Sequence, residues 1–184
     1  MSIAHAARSA RANSKIVLHG RKVVGGCAEG EALVTRDTIE VAPTKIVLRG
    51  RKVVGGCAEG EAIVTRDTIS GWGGINEREG TVIERRHELR GISFKDKVLV
   101  FPGAKGSSGW SAYFHMTRLN GVAPKAMLFN KMTTKVALGA VVTHAPAMTE
   151  FDQDPLTVIE TGDWVKVDAD NGIVEVTKKT PVGR

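Results

Sequence analysis

The sequence predicts an α/β fold, a mixed barrel that is mostly strand with one or two covering helices. Three observations carry that expectation. Seven short β-branched runs, KIVLRGRKVV, GEAIVTRDTI, KVLVFPG, KAMLFNK, GAVVTHA, DWVKVDA and GIVEVTKK, are bounded by Gly, Pro, Asp or Asn and read as strands. One long helical pattern occupies 108–120, where Trp110, Tyr113, Phe114, Thr117 and Leu119 gather toward one face and Gly121 supplies the stop. Set between the strands at 98–101 and 126–129, that helix makes a βαβ unit, which requires parallel pairing and a right-handed crossover.

Taken in order, the chain opens with residues 1–14, which hold Arg8 and Arg11, no acid, and several Ala and Ser residues. That composition is shared by organelle transit peptides and by ordinary N-termini. An internal repeat follows: 15–39 and 45–69 agree at 23 of 25 positions, differing only at His19/Arg49 and Leu33/Ile63. Two near-identical copies without a third do not make a solenoid, which needs about three units to stack a core. In a single-domain fold one copy fills the slot. The second runs directly into the rest of the chain and is assigned to the barrel, so 1–44 is expected to be a peripheral extension and 45–184 the domain. The two cysteines, Cys27 and Cys57, are copies of one position, and no CxxC or Cys/His spacing offers a metal site. Further along, a shorter helix is expected over 133–138. Asp170-Asn171-Gly172, between two alternating runs, is the strongest hairpin signal.

Composition narrows the function. The chain has 184 residues and a net charge of +6, and six of its basic and four of its acidic residues lie in 1–44, leaving +4 on the body. The basic residues are scattered and aromatic content is 5%, so nucleic acid is not an expected partner. No apolar run approaches the roughly 18 to 20 residues of a membrane span. A cytoplasmic protein with no membrane partner is the expectation.

The chemistry is expected in FPGAKGSSGWS, 101–111, where a buried strand runs into Gly103, Lys105, Gly106, Ser107, Ser108 and Gly109 at a helix start. Backbone N–H groups, the positive end of the helix dipole, hydroxyls and a lysine converge there, as a carboxylate or phosphate requires. The bland alternative is an N-cap serine among turn-forming glycines. The spacing fits neither a Walker A loop nor a GxSxG nucleophile elbow.

VGGCAEGEAIVT (54–65), GWGGINEREGTVIERRHELRG (71–91), KVLVFPGAKGSSGWS (97–111), NGVAPKAMLF (120–129) and GAVVTHAP (139–146), in that order, resemble the swivel domain, or small subunit, of the aconitase X family over 45–176. The resemblance implies a swivelling β/β/α barrel that closes over a large subunit, the pair dehydrating a hydroxy acid. It implies cis-3-hydroxy-L-proline or mevalonate 5-phosphate as substrate. Gly109-Trp110 between the serines inclines the expectation to hydroxyproline, with mevalonate 5-phosphate as the alternative. By the same resemblance Ser107 is the base that removes the proton beside the substrate carboxylate. Gly106 and Ser108 cradle that carboxylate, and Ser111 supports the pocket one turn on. Gly73 and Gly74 of the GWGGIN loop face the substrate and partner, or form a tight turn with Trp72 as core anchor. An iron–sulfur cluster or iron is expected in the large subunit and no cofactor on this chain. The substrate is anionic, and the chain alone should be inactive. His87, beside Arg85, Arg86 and Arg90, is expected at a solvated surface, and Cys57 at a half-buried strand end. GAVVTHAPAM with TGDWVKVDADNGIVEV also resembles the phosphohistidine domain of phosphoenolpyruvate-utilising enzymes, in which His144 would carry the phosphoryl group. A non-catalytic metabolite-binding barrel is the third reading.

Overall fold

The computed structural model describes residues 43–107 and 109–179. The first repeat copy and Ser108 therefore lie outside the described residues. The second copy supplies β1 (Lys45–Arg49), β2 (Arg51–Val54), β3 (Cys57–Val64) and the start of β4 (Ile69–Ser70). A short hairpin, β5 (Ile75–Asn76) and β6 (Thr81–Val82), precedes β7 (Val98–Phe101), β8 (Ala104–Lys105) and helix α1 (Gly109–Leu119). The chain continues through β9 (Ala126–Phe129), α2 (Thr134–Thr143), β10 (Ala147–Thr149), α3 (Pro155–Val158), β11 (Trp164–Asp168) and β12 (Ile173–Thr177). Eight strands form one sheet in the order β1-β12-β11-β3-β7-β9-β10-β2, and β3, β7, β9 and β10 are parallel.

The run KIVLRGRKVV does not make one strand. It breaks at Gly50 into β1 and β2, which stand at opposite ends of the strand order with a single residue between them. A side chain at Gly50 would meet the Phe151 ring at 2.6 Å and the Thr149 carbonyl oxygen at 3.0 Å. The break is thus fixed by a close approach that only glycine permits.

Strand alternation sorts the apolar side chains into two cores. Val98 and Val100 of β7, with Ala126 and Leu128 of β9, join Leu48, Ala62, Val165, Val167, Val174 and Val176. The intervening Leu99, Phe101, Met127 and Phe129 face the other way and pack with Trp110, Phe114, Val136 and Ala140 of the helices. Central parallel strands buried on both faces read in sequence as unbroken apolar runs, which is why VLVF and AMLF were unmistakable. By contrast β11 alternates between exposed and buried residues, as a one-sided strand does.

Two helices differ from expectation. Leu119 is 65% exposed, because two residues beyond Thr117 lies more than half a turn around a helix of 3.6 residues per turn. GAVVTHA is no strand: 139–143 is the second half of α2, whose buried residues Val136, Gly139, Ala140 and Thr143 keep the i, i+3, i+4, i+7 period. A Cβ on Gly139 would stand 2.2 Å from the Trp110 ring, so glycine inside this helix lets the indole lie against it. The expected hairpin at 170–172 joins β11 and β12, with Gly172 at φ +69°.

Asp163, fully buried, ties β11 to the segment after β12. Its carboxylate accepts from Lys178 Nζ at 2.7 Å and from the Glu160 and Lys179 N–H groups at 2.8 and 3.0 Å. Burial opposes the charge, but Lys178 and the two N–H donors outweigh it and hold the carboxyl below its ordinary pKa. The stabilisation is therefore present above the unfolded-state value of about 3.9 and is lost as pH falls through the lower folded value. Asp163→Asn is expected to cost about 1–3 kcal/mol at neutral pH. It should also flatten the acid limb of stability against pH in urea titrations; an unchanged limb would show that Asp163 does not carry it.

Candidate functional site

Beyond the carboxyl ends of the adjacent parallel strands β7 and β9, two connections run side by side toward α1 and α2. Lys131 N–H donates to the Pro102 carbonyl at 2.8 Å, and a Cβ on Gly103 would sit 3.0 Å from the Lys131 carbonyl oxygen. Binding and catalytic residues concentrate on loops that a rigid sheet positions in this way. Gly103 and Gly106 take φ +151° and +85°, conformations that a side chain would strain, and they turn the chain outward so that Ser107 is exposed.

Ser107 serves the start of the helix as well. Its Oγ accepts from the Gly109 N–H at 3.4 Å and its carbonyl from the Trp110 N–H at 3.3 Å. The capping reading and the chemical reading thus fall on one residue, because a weak acceptor contact does not consume the hydroxyl proton. Ser111 lies buried in the first turn of α1. Ser108 lies outside the described residues.

The cations are arranged otherwise than the sequence suggested. Lys105 does not stand free at the loop; it is ion-paired with Glu84 at 2.5 Å. The ammonium that reaches the loop belongs to Lys135 of α2, which donates to the Gly106 carbonyl. Sequence reasoning missed it, since 29 positions separate the pair and no local pattern links them.

GWGGIN lies directly against the helix start. A Cβ on Gly71 would come 2.7 Å from the Trp110 Cα, and one on Gly106 would come 3.2 Å from the Ser70 Oγ. Trp72 is 78% exposed, which removes it as a core anchor. The two glycines of the pair part company. Gly73 is exposed at φ +70° with open space around it. Gly74 is buried, its N–H bonded to the Gly71 carbonyl and its own carbonyl to the Ile83 and Glu84 N–H groups, so it holds the loop and offers a ligand nothing.

Three further expectations change. His87 is 5% exposed, not solvated: its Nδ1 accepts from the Leu89 N–H at 3.1 Å, while the three arginines around it point outward. Cys57 is exposed at the start of β3. Partial desolvation of the sulfur and the Asp168 carboxylate beside it both raise its pKa, which disfavours the thiolate that a metal would need. His144 is the left-handed C-cap of α2 at φ 55°, at the negative end of the helix dipole, where a phosphoryl group is disfavoured.

Among the described residues no three His, Cys, Asp or Glu side chains converge to hold a metal ion. Among the same residues no helix is long and apolar enough to cross a membrane.

Comparison with known proteins supplies the family. The aconitase X swivel domain family matches residues 47–176. The phosphomevalonate dehydratase small subunit of Methanocella arvoryzae is 42% identical over 160 residues, covering 87% of this chain and 98% of its own. That of Thermococcus kodakarensis is 41% identical over 159 residues, covering 86% and 95%. The crystal structure of Thermococcus kodakaraensis aconitase X in its holo-form superimposes with a TM-score of 0.68 at 40% identity, over 72% of this chain and 99% of that one. A family match across nearly the whole described body means that the chain belongs to the aconitase X swivel domain family.

Proposed function

We propose that this chain is the small subunit of a dehydratase acting on mevalonate 5-phosphate, with Ser107 as the base and a large subunit completing the site. The observation that carries the reading is the exposed Ser107 hydroxyl at the mouth of α1, in a chain whose relatives named phosphomevalonate dehydratase small subunit align over nearly their full length. The hydroxyproline expectation loses its only support. Trp110 is buried between Phe101 and Phe114, so the Gly109-Trp110 pair reflects packing and not substrate choice.

In this reading Ser107 takes the proton from the carbon beside the carboxylate. The electron pair left behind forms the carbon–carbon double bond, and the hydroxyl on the next carbon departs as water. A serine hydroxyl is a poor base near neutrality, and the α1 N-terminus and a nearby cation favour its alkoxide. Gly106 and Ser111 form this chain's side of the carboxylate pocket; the expectation for Ser108 lies outside the described residues. Gly73 and Trp72 face the large subunit, a role that suits a tryptophan exposed beside a site. The leaving hydroxyl is handled by groups outside this chain. The iron–sulfur cluster or iron belongs to the large subunit, and no step on these residues depends on it.

Two structural proposals accompany the function. The eight-stranded sheet closes into a barrel, because one residue spans only about 3.5 Å and Gly50 alone joins the strands at its two ends. The domain that carries the function is 45–184, and 1–42 lie outside the described residues.

The test is co-expression with a large subunit and assay against mevalonate 5-phosphate and cis-3-hydroxy-L-proline, using the full chain and one that begins at Val41. Turnover of the phosphate by both chains, and none by either chain without the large subunit, is the expected result. Turnover of hydroxyproline alone would overturn the substrate, activity of the isolated chain would overturn the subunit reading, and loss on truncation would overturn the assignment of the function to 45–184.

A further inference from the structure

Lys135 stands in the first turn of α2, where the helix dipole disfavours a cation and no acidic residue offsets it. A lysine at such a place calls for a favourable contact elsewhere. Its ammonium donates to the Gly106 carbonyl, and among the described residues that carbonyl is its polar partner. The peptide so gripped is the one whose nitrogen belongs to Ser107. Gly106 is held at φ +85°, and a glycine that visits both signs of φ at little cost gives this peptide no stiffness of its own. On the far side of that peptide the Ser107 contacts are long, 3.4 Å from the Gly109 N–H to its Oγ and 3.3 Å from the Trp110 N–H to its carbonyl.

We propose that Lys135 is a positioning residue for Ser107: by anchoring the Gly106 carbonyl it sets the orientation of the Gly106–Ser107 peptide and thus the direction in which the hydroxyl points. The inference rests on Ser107 being the base. The ammonium is a fixed positive charge one peptide away from that hydroxyl, so it also favours the alkoxide over the alcohol. Arginine, which keeps the charge and the donors, should substitute; methionine, which keeps the length and loses both, should not.

In the assembled complex, Lys135→Met is expected to lower kcat on the order of ten- to a hundredfold with little change in KM, as loss of orientation does. The ascending limb of its pH profile, which reports the base, should move to higher pH, and Lys135→Arg should recover most of kcat. A second readout needs no turnover. In the full chain, exchange of the Trp110 amide, which donates to the Ser107 carbonyl, should quicken on the order of tenfold relative to core amides in the methionine variant and not in the arginine variant. Wild-type exchange in Lys135→Met, or an arginine variant as impaired as the methionine one, would overturn the proposal. If the wild-type complex does not dehydrate mevalonate 5-phosphate, the functional reading falls, while amide exchange still decides whether Lys135 holds the loop.

Discussion

Replacing Ser107 by alanine in the assembled complex is expected to lower kcat by about a thousandfold, within the range of removing a general base. KM should change little, because the carboxylate pocket is made by neighbouring groups. The fold should tolerate the change. Ser107 is exposed, and the cap it provides is a single 3.4 Å contact, worth at most about 1 kcal/mol. The measurement therefore separates chemistry from structure: steady-state kinetics on the complex, with the melting temperature of the isolated chain as control. Retained kcat would remove Ser107 as the base and leave it as a helix cap. A fall in kcat matched by a large loss of stability would place the effect in the loop, in conflict with its exposure. Ser111→Ala makes the useful contrast, since Ser111 is buried in the first turn of α1 and should affect stability as well as rate.

The parts of this fold that the sequence disclosed are those governed by short-range pattern. β7 and β9 were legible because a strand buried on both faces has no polar positions to confuse it, and the hairpin at 170–172 because only a few residue pairs tolerate its turn. GAVVT was misread for a local reason: two β-branched valines resemble a strand, and the helical period becomes visible only when Val136 is counted with Gly139, Ala140 and Thr143. The site divides in the same way. Ser107 and its glycines lie within one turn of chain and could be found by reading along it. Lys135 reaches the loop from the next βα connection, and Lys105 is spent on Glu84 in the segment after β6; both facts depend on which strands are neighbours. His87 failed for a third reason. Its charged neighbours made the segment look solvated, but 83–94 is irregular, so adjacent side chains need not share an environment.

Trp110→Ala should be among the most destabilising single substitutions in the described body, costing about 3–5 kcal/mol by urea or thermal unfolding. The indole is 1% exposed and stacks on Phe114 with ring centroids 4.0 Å apart, and its N–H donates to the Ile69 carbonyl at 3.0 Å. Truncation thus opens a cavity between α1, α2 and the sheet, and strands a carbonyl of β4, the strand that pairs with β8 beside the Ser107 loop. Activity should accordingly fall at temperatures where the chain is still folded. Gly139 supplies the internal check. Gly139→Ala alone should cost about 1–3 kcal/mol through overpacking, since the added methyl would stand 2.2 Å from the Trp110 ring. In a Trp110→Ala background the same methyl meets the cavity instead of the ring, so most of that cost should vanish. The two changes must then be strongly non-additive, as contacting residues are. An additive pair would mean that indole and glycine do not meet in solution, and that α2 is seated on α1 by other contacts.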